Sequence, residues 1–128
     1  MKPGLLLFAH GARDPRWALP FEDLAARIRR LAPGVAVELS FLELMPPTLA
    51  VAGRRLAEAG CTQVEVLPLF LGTGGHVRND LPALLAQLAA RLPGVCWTLR
   101  PAIGEADSVI EAMARAAVEL LVLPPAAP

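Results

Sequence analysis

Histidine and cysteine each occur only twice in this 128-residue chain, tyrosine is absent, and aromatic residues make up 5%. Each scarcity removes a class of protein. Cys61 and Cys96 form no CxxC pair and no metal-type spacing, which excludes a disulfide scaffold and a structural zinc site. Both are expected to be reduced packing residues, Cys61 in a helix-to-strand turn and Cys96 in an apolar strand. Twelve basic and twelve acidic residues cancel, so no charge excess exists to hold nucleic acid or a membrane surface. No apolar run approaches the roughly 18 residues that span a bilayer, although hydrophobic residues reach 55% and the mean hydropathy is +0.49. The surplus is expected to leave apolar surface for a subunit interface. Met1-Lys2-Pro3-Gly4 runs straight into a strand and lacks the separate regions of a signal peptide, which makes the cytoplasm the expected compartment.

What is present is an alternation of strand and helix. Gly4–Ala9 reads as the first strand. Trp17, Phe21, Leu24, Ile28 and Leu31 step along one face of a helix from about Arg16 to Leu31, in which Pro20 fits only the first turn. Val35–Phe41 is the second strand. A helix follows from Pro47-Thr48 to Gly60, where Gly60 suits a left-handed C-terminal position. Gln63–Phe70 is the third strand. The third helix is expected to begin at Asn79 or Asp80, with Pro82 in its first turn, and to break at Pro93-Gly94. Val95–Leu99 is the fourth strand, and a helix from Ala106 to Leu121 ends the pattern. Four βα units with short connections imply an α/β fold: three αβα layers around a four-stranded parallel, flavodoxin-like sheet of order 2-1-3-4. Residues 1–123 are expected to form one domain, with 124–128 a frayed tail.

Both histidines directly follow an apolar run: His10 after Leu5–Ala9, and His76 after Val64–Leu71 and a glycine-rich turn. In the order 2-1-3-4 the exits of strands one and three flank the point where helices leave on opposite faces, which is where ligands bind in open α/β sheets. His10 and His76 are therefore expected to face one crevice, and Glu43, at the exit of strand two, to join them. Two imidazoles and a carboxylate suit a first-row divalent metal with open coordination positions. A hydrogen-bonded structural role for a histidine, and a solvated loop role for Glu43, are the other readings. Gly72-Thr73-Gly74-Gly75 lacks both the Walker lysine and GxGxxG spacing, so it is read as room for a flat or bulky ligand, not as a nucleotide loop. Arg13, Arg16 and Arg78 flank the histidines and either face solvent or pair with substrate carboxylates. Ser40 and Ser108 lack a partner for nucleophilic catalysis and Cys61 lies on the opposite edge, which leaves a hydrolase or phosphatase without a nucleophile.

His10-Gly11-Ala12-Arg13-Asp14-Pro15 resembles the HGSRDP-type motif of the class II chelatases of the CbiX/SirB family. Pro68-Leu69-Phe70-Leu71 through Gly75-His76-Val77-Arg78-Asn79-Asp80-Leu81-Pro82 resembles their second motif, a strand ending PLFL that leads into GxHVxxDxP. Leu42-Glu43 to Pro47-Thr48-Leu49 is similar to the family's segment after strand two. The motifs cover most of the chain in the right order. Ala12 stands where serine is usual, which removes a hydroxyl but no expected ligand.

The resemblance implies a chelatase-like fold and the insertion of cobalt, or of iron or nickel, into sirohydrochlorin for cobalamin or siroheme synthesis, with no organic cofactor. The short members resemble half of the two-lobed chelatases, which implies a homodimer with its cleft between subunits. On this reading His10 and His76 hold the metal. A histidine or Glu43 accepts the two pyrrole protons, and Arg13, Gly74, Gly75 and Arg78 meet the tetrapyrrole. Protonation of imidazole competes with metal, so activity is expected to fall below about pH 6. The same donors bind all three metals, so the sequence does not choose among them. A non-catalytic carrier of metal or tetrapyrrole is the alternative, and turnover separates the two.

Overall fold

The computed structural model describes residues 2–72 and 74–122, with the side chains of residues 75–78 outside the description. Its central strand is the most apolar stretch of the chain. β1 (Lys2–Ala9) buries Leu6, Leu7, Phe8 and Ala9 almost completely, as expected of a parallel strand covered on both faces. β2 (Ala36–Phe41) and β3 (Cys61–Pro68) pair with it on either side, and β4 (Cys96–Leu99) pairs with β3. The sheet is wholly parallel in the order β2-β1-β3-β4, the order expected from the sequence. Ala9 lies opposite Phe41 and Phe8 opposite Pro68, so the three exits end level with one another.

Alternate residues of the strands feed opposite layers. Leu7 and Val37 pack with Ala25 and Ile28 of α1 (Leu19–Leu31) on one face. Leu6, Phe8, Val64 and Val66 pack on the other with Leu49, Ala52 and Leu56 of α2 (Leu49–Glu58) and Leu81, Leu85 and Leu88 of α3 (Gly75–Arg91). Each fully buried leucine or phenylalanine contributes about 1.5–3 kcal/mol, so these two layers hold the sheet. The N-terminal caps are local. Asp14 accepts the Arg16 backbone N–H at 2.9 Å ahead of a 3-10 turn, Pro15–Ala18. Thr48 accepts the Val51 N–H at 3.2 Å.

Three expectations are corrected. The first helix opens as that 3-10 turn and becomes α-helical only at Leu19, with Pro20 in the first turn as expected. α3 begins at Gly75, ahead of Asn79 and Asp80, so Pro82 lies inside the helix. The extended backbone of Gly74 (φ −66°, ψ 157°) makes the turn into the helix, and the helix continues past Pro82 with one backbone hydrogen bond fewer. His76 consequently belongs to the first turn of α3, not to the loop before it. Cys96, expected to pack, is exposed at the start of the edge strand. Cys61 is buried at the incoming end of β3, where desolvation pushes its thiol pKa up.

α4 (Asp107–Val122) behaves differently from the other helices. None of its residues is buried, and it joins none of the three core clusters. Its contacts run chiefly to the 3-10 turn before it, Ile103–Glu105. Among the described residues no helix is long and apolar enough to cross a membrane. The expected tail, 124–128, and Thr73 lie outside the described residues.

Candidate functional site

His10 is the first residue past β1 and is exposed. Loops from both neighbouring strands are fastened to it. On the β2 side, Leu42 N–H donates to the Ala9 carbonyl at 2.9 Å and Glu43 N–H to the His10 carbonyl at 3.1 Å. Gly11 makes that approach possible. Its φ is +93°, and a Cβ there would fall on the Glu43 carbonyl oxygen, so any other residue is excluded by both conformation and space. Phe41 N–H donates to the Pro47 carbonyl at 2.9 Å and closes the loop that carries Glu43. That loop contains a cis Pro46–Pro47 bond and Leu44 at φ +70°. Beneath it the buried Ser40 hydroxyl donates to the Leu7 carbonyl at 2.9 Å.

On the β3 side, Leu69 N–H donates to the Phe8 carbonyl at 2.8 Å. The next residue, Phe70, brings its ring to 4.5 Å from the His10 imidazole, tilted by 40°. Phe70 is itself nearly buried and lies edge-on to Phe8 at 6.2 Å. Its carbonyl accepts the Gly104 N–H at 2.9 Å. Gly104 has no alternative, since a Cβ there would run into the backbone of Leu71. The imidazole therefore stands on an aromatic floor anchored by two other segments of the chain.

The residues singled out in the sequence fall into three groups. His10 and Glu43 are brought together through the backbone, with the Glu43 side chain exposed. Gly74 is exposed before α3, and Gly75 is its first residue. The backbone of His76 and Arg78 lies at the start of α3, while their side chains lie outside the described residues. Among the described residues no three of His, Cys, Asp and Glu gather into a metal-holding group. Of the arginines, Arg16 is engaged: its Nε is 3.2 Å from both Asp14 carboxylate oxygens and its Nη2 is 2.8 Å from Oδ2. These bonds hold the Asp14 carboxyl below its ordinary pKa and raise that of the Arg16 guanidinium. Arg13 is exposed and makes no ion pair among the described residues. One cavity, of about 280 Å³, opens beyond the exits of β3 and β4 between Pro68, Leu99, Arg100 and Glu105, one strand along from the His10 exit.

Sequence reasoning missed Phe70 as a partner of His10, and Gly104 as the residue that fixes Phe70. An apolar residue ending a strand gives no sign of which ring it will meet. Gly104, after Pro101, had a turn-forming context as its only signal.

A parallel αβα sheet with an exposed imidazole at its switch point has the architecture in which α/β proteins take ligands at the strand exits. The chain belongs to the CbiX family, whose model matches residues 4–120. It is 30% identical over 116 residues to a sirohydrochlorin ferrochelatase of Bacillus subtilis (strain 168), covering 88% of this chain and 43% of that protein. It is 33% identical over 81 residues to a sirohydrochlorin cobaltochelatase of Methanopyrus kandleri, covering 63% of this chain and 57% of that one. The crystal structure of a protein named for CbiX and cobalamin (vitamin B12) biosynthesis, from Marinobacter aquaeolei VT8, matches with a TM-score of 0.82 at 34% identity. That match covers 93% of this chain and 97% of the Marinobacter chain. The chain thus spans about half the length of the curated relatives it matches.

Proposed function

We propose that this chain is a sirohydrochlorin chelatase that inserts a divalent metal, cobalt first and iron or nickel as alternatives, and that it works as a homodimer. The observation that carries the reading is the exposed His10 imidazole, held at the exit of the central strand between two loops bonded to that exit. Support also comes from relatives named for both iron and cobalt insertion. The pathway served, cobalamin or siroheme synthesis, follows the metal.

The chemistry follows from the groups available. Neutral His10 donates a nitrogen lone pair to the incoming metal, and the Phe70 ring restricts how the imidazole can turn, which keeps that lone pair aimed. His76, at the start of α3, is the second nitrogen donor. Insertion exchanges one divalent cation for two pyrrole protons, so charge balances when a nearby base accepts them. Glu43, on the loop bonded to His10, or a histidine of the site takes them one at a time, passing the first to solvent water before the second leaves. Arg13 and Arg78 meet the carboxylates on the macrocycle rim, and Gly74 and Gly75 let the ring approach the backbone. A single chain offers an open edge, and a second copy closes it into a cleft.

Purified protein mixed with sirohydrochlorin and each metal in turn should change the substrate's absorbance with multiple turnovers. His10→Ala and His76→Ala should each lose at least about a hundredfold in rate, as loss of a metal ligand or of its orientation does. Full activity in both variants overturns the assignment. Stoichiometric binding without release of metallated product identifies a carrier instead.

A further inference from the structure

Leu44 and Leu71 remain 55% and 71% exposed, and none of the three core clusters contains either one. Each is nevertheless held on a fixed base beside His10. Leu44 follows Glu43, whose N–H bonds the His10 carbonyl. Leu71 follows Phe70, whose ring lies 4.5 Å from the imidazole, and the Leu71 backbone is crossed closely by Gly104. Because the strand order runs β2-β1-β3, the two leucines stand on either side of the His10 exit.

Neither leucine gains burial where it stands, and Leu44 is also strained. Leu44 has φ +70°, a left-handed backbone that any β-carbon disfavours and that glycine or asparagine adopts more readily. Its side chain gains no burial in return. Strain and exposed apolar surface maintained together at a site edge point to a use for the side chain. A rigid backbone that presents apolar groups loses little freedom when a flat apolar surface lands on them.

We infer that Leu44 and Leu71 are the apolar seats for the plane of the tetrapyrrole, one on each side of the metal-donating imidazole. The inference rests on the chelatase reading for the identity of its ligand. The leucines contact the ring and leave its carboxylate rim to the arginines. They set affinity and take no part in proton transfer or metal ligation.

Asparagine tests this cleanly, because it has nearly the shape of leucine, tolerates the left-handed backbone and is polar. Metal-free sirohydrochlorin is titrated into wild type, Leu44→Asn, Leu71→Asn and the double variant, followed by fluorescence quenching, with cobalt insertion rates and light-scattering mass measured on the same samples. Each single variant should bind about fivefold more weakly and the double variant about twenty-fivefold. KM should rise in step while kcat at saturating macrocycle holds, and the thermal midpoint should hold in Leu71→Asn and not fall in Leu44→Asn, where the left-handed backbone is relieved. Wild type that binds sirohydrochlorin while the variants bind equally well overturns the inference and leaves the chelatase reading standing. Wild type that fails to bind it overturns both. A loss of affinity that tracks a loss of dimer mass assigns the leucines to a subunit interface, and so also overturns the inference.

Discussion

At the scale of single residues, Gly11 and Asp14 do unlike work within one motif. Gly11 lets the His10 loop pass under the Glu43 carbonyl. Gly11→Ala adds a β-carbon in both a forbidden conformation and an occupied space, and should lower unfolding free energy by about 2–4 kcal/mol in urea titrations. Asp14 caps a turn and grips Arg16. Its carboxyl is held below the usual range by those hydrogen bonds. A depressed carboxyl contributes stability above its unfolded value and loses it as pH falls through the folded one. Both side chains are exposed, so the effect on stability is small. An NMR titration should place the Asp14 midpoint below the usual carboxylate range, and Arg16→Gln should raise it part of the way, since the backbone N–H of residue 16 still donates to the carboxylate. An unchanged midpoint in that variant would refute the assignment. The pairing also removes Arg16 from the arginines free to meet a substrate and leaves Arg13 as the described candidate.

Among the elements, the first and third strands were legible from the sequence because strands buried in a parallel sheet need apolar runs, and Leu5–Ala9 and Val66–Phe70 supply them, the latter after the exposed Glu65. α2 was legible too: Thr48 caps it, and Gly60 closes it at φ +92°. The start of α3 was not. Glycines and an internal proline argue locally against a helix, yet Leu81, Leu85 and Leu88 pack into the α2 layer and hold it. Tertiary burial outweighed propensity there. The helix carries the deficit at Pro82, which is exposed and lacks an N–H. Pro82→Ala should therefore raise stability by about 1–2 kcal/mol after allowing for the added freedom of the unfolded chain. Equilibrium denaturation tests this, and a destabilised variant would mean that the proline ring itself is needed for packing.

The whole molecule is where α4 matters. Ile110, Met113, Val118, Leu120 and Leu121 are all exposed, although a doubly wound sheet ordinarily has a helix over each half of both faces. The apolar surplus noted in the composition is concentrated here. As part of the homodimer proposal, α4 is the element a second copy covers. Val118→Lys with Leu121→Lys should leave the far-ultraviolet circular dichroism unchanged, since neither side chain is buried, and should shift the light-scattering mass from dimer to monomer with loss of metal insertion. A dimer that survives both charges would place the interface elsewhere.

The sequence by itself determined the order of elements, the parallel sheet and the placement of His10 at a strand exit, because apolar periodicity and chain breaks act over a few residues. The family motifs were legible for the same reason. Only the tertiary structure decided that the Phe70 ring lies against the imidazole, that Gly11 sits beneath the Glu43 carbonyl, that Arg16 is bound to Asp14, and that α4 lies outside the core. Most of these depend on the register between strands and on where loops from different strands cross. Such distances are set by the packed molecule as a whole, and no short stretch of sequence carries them.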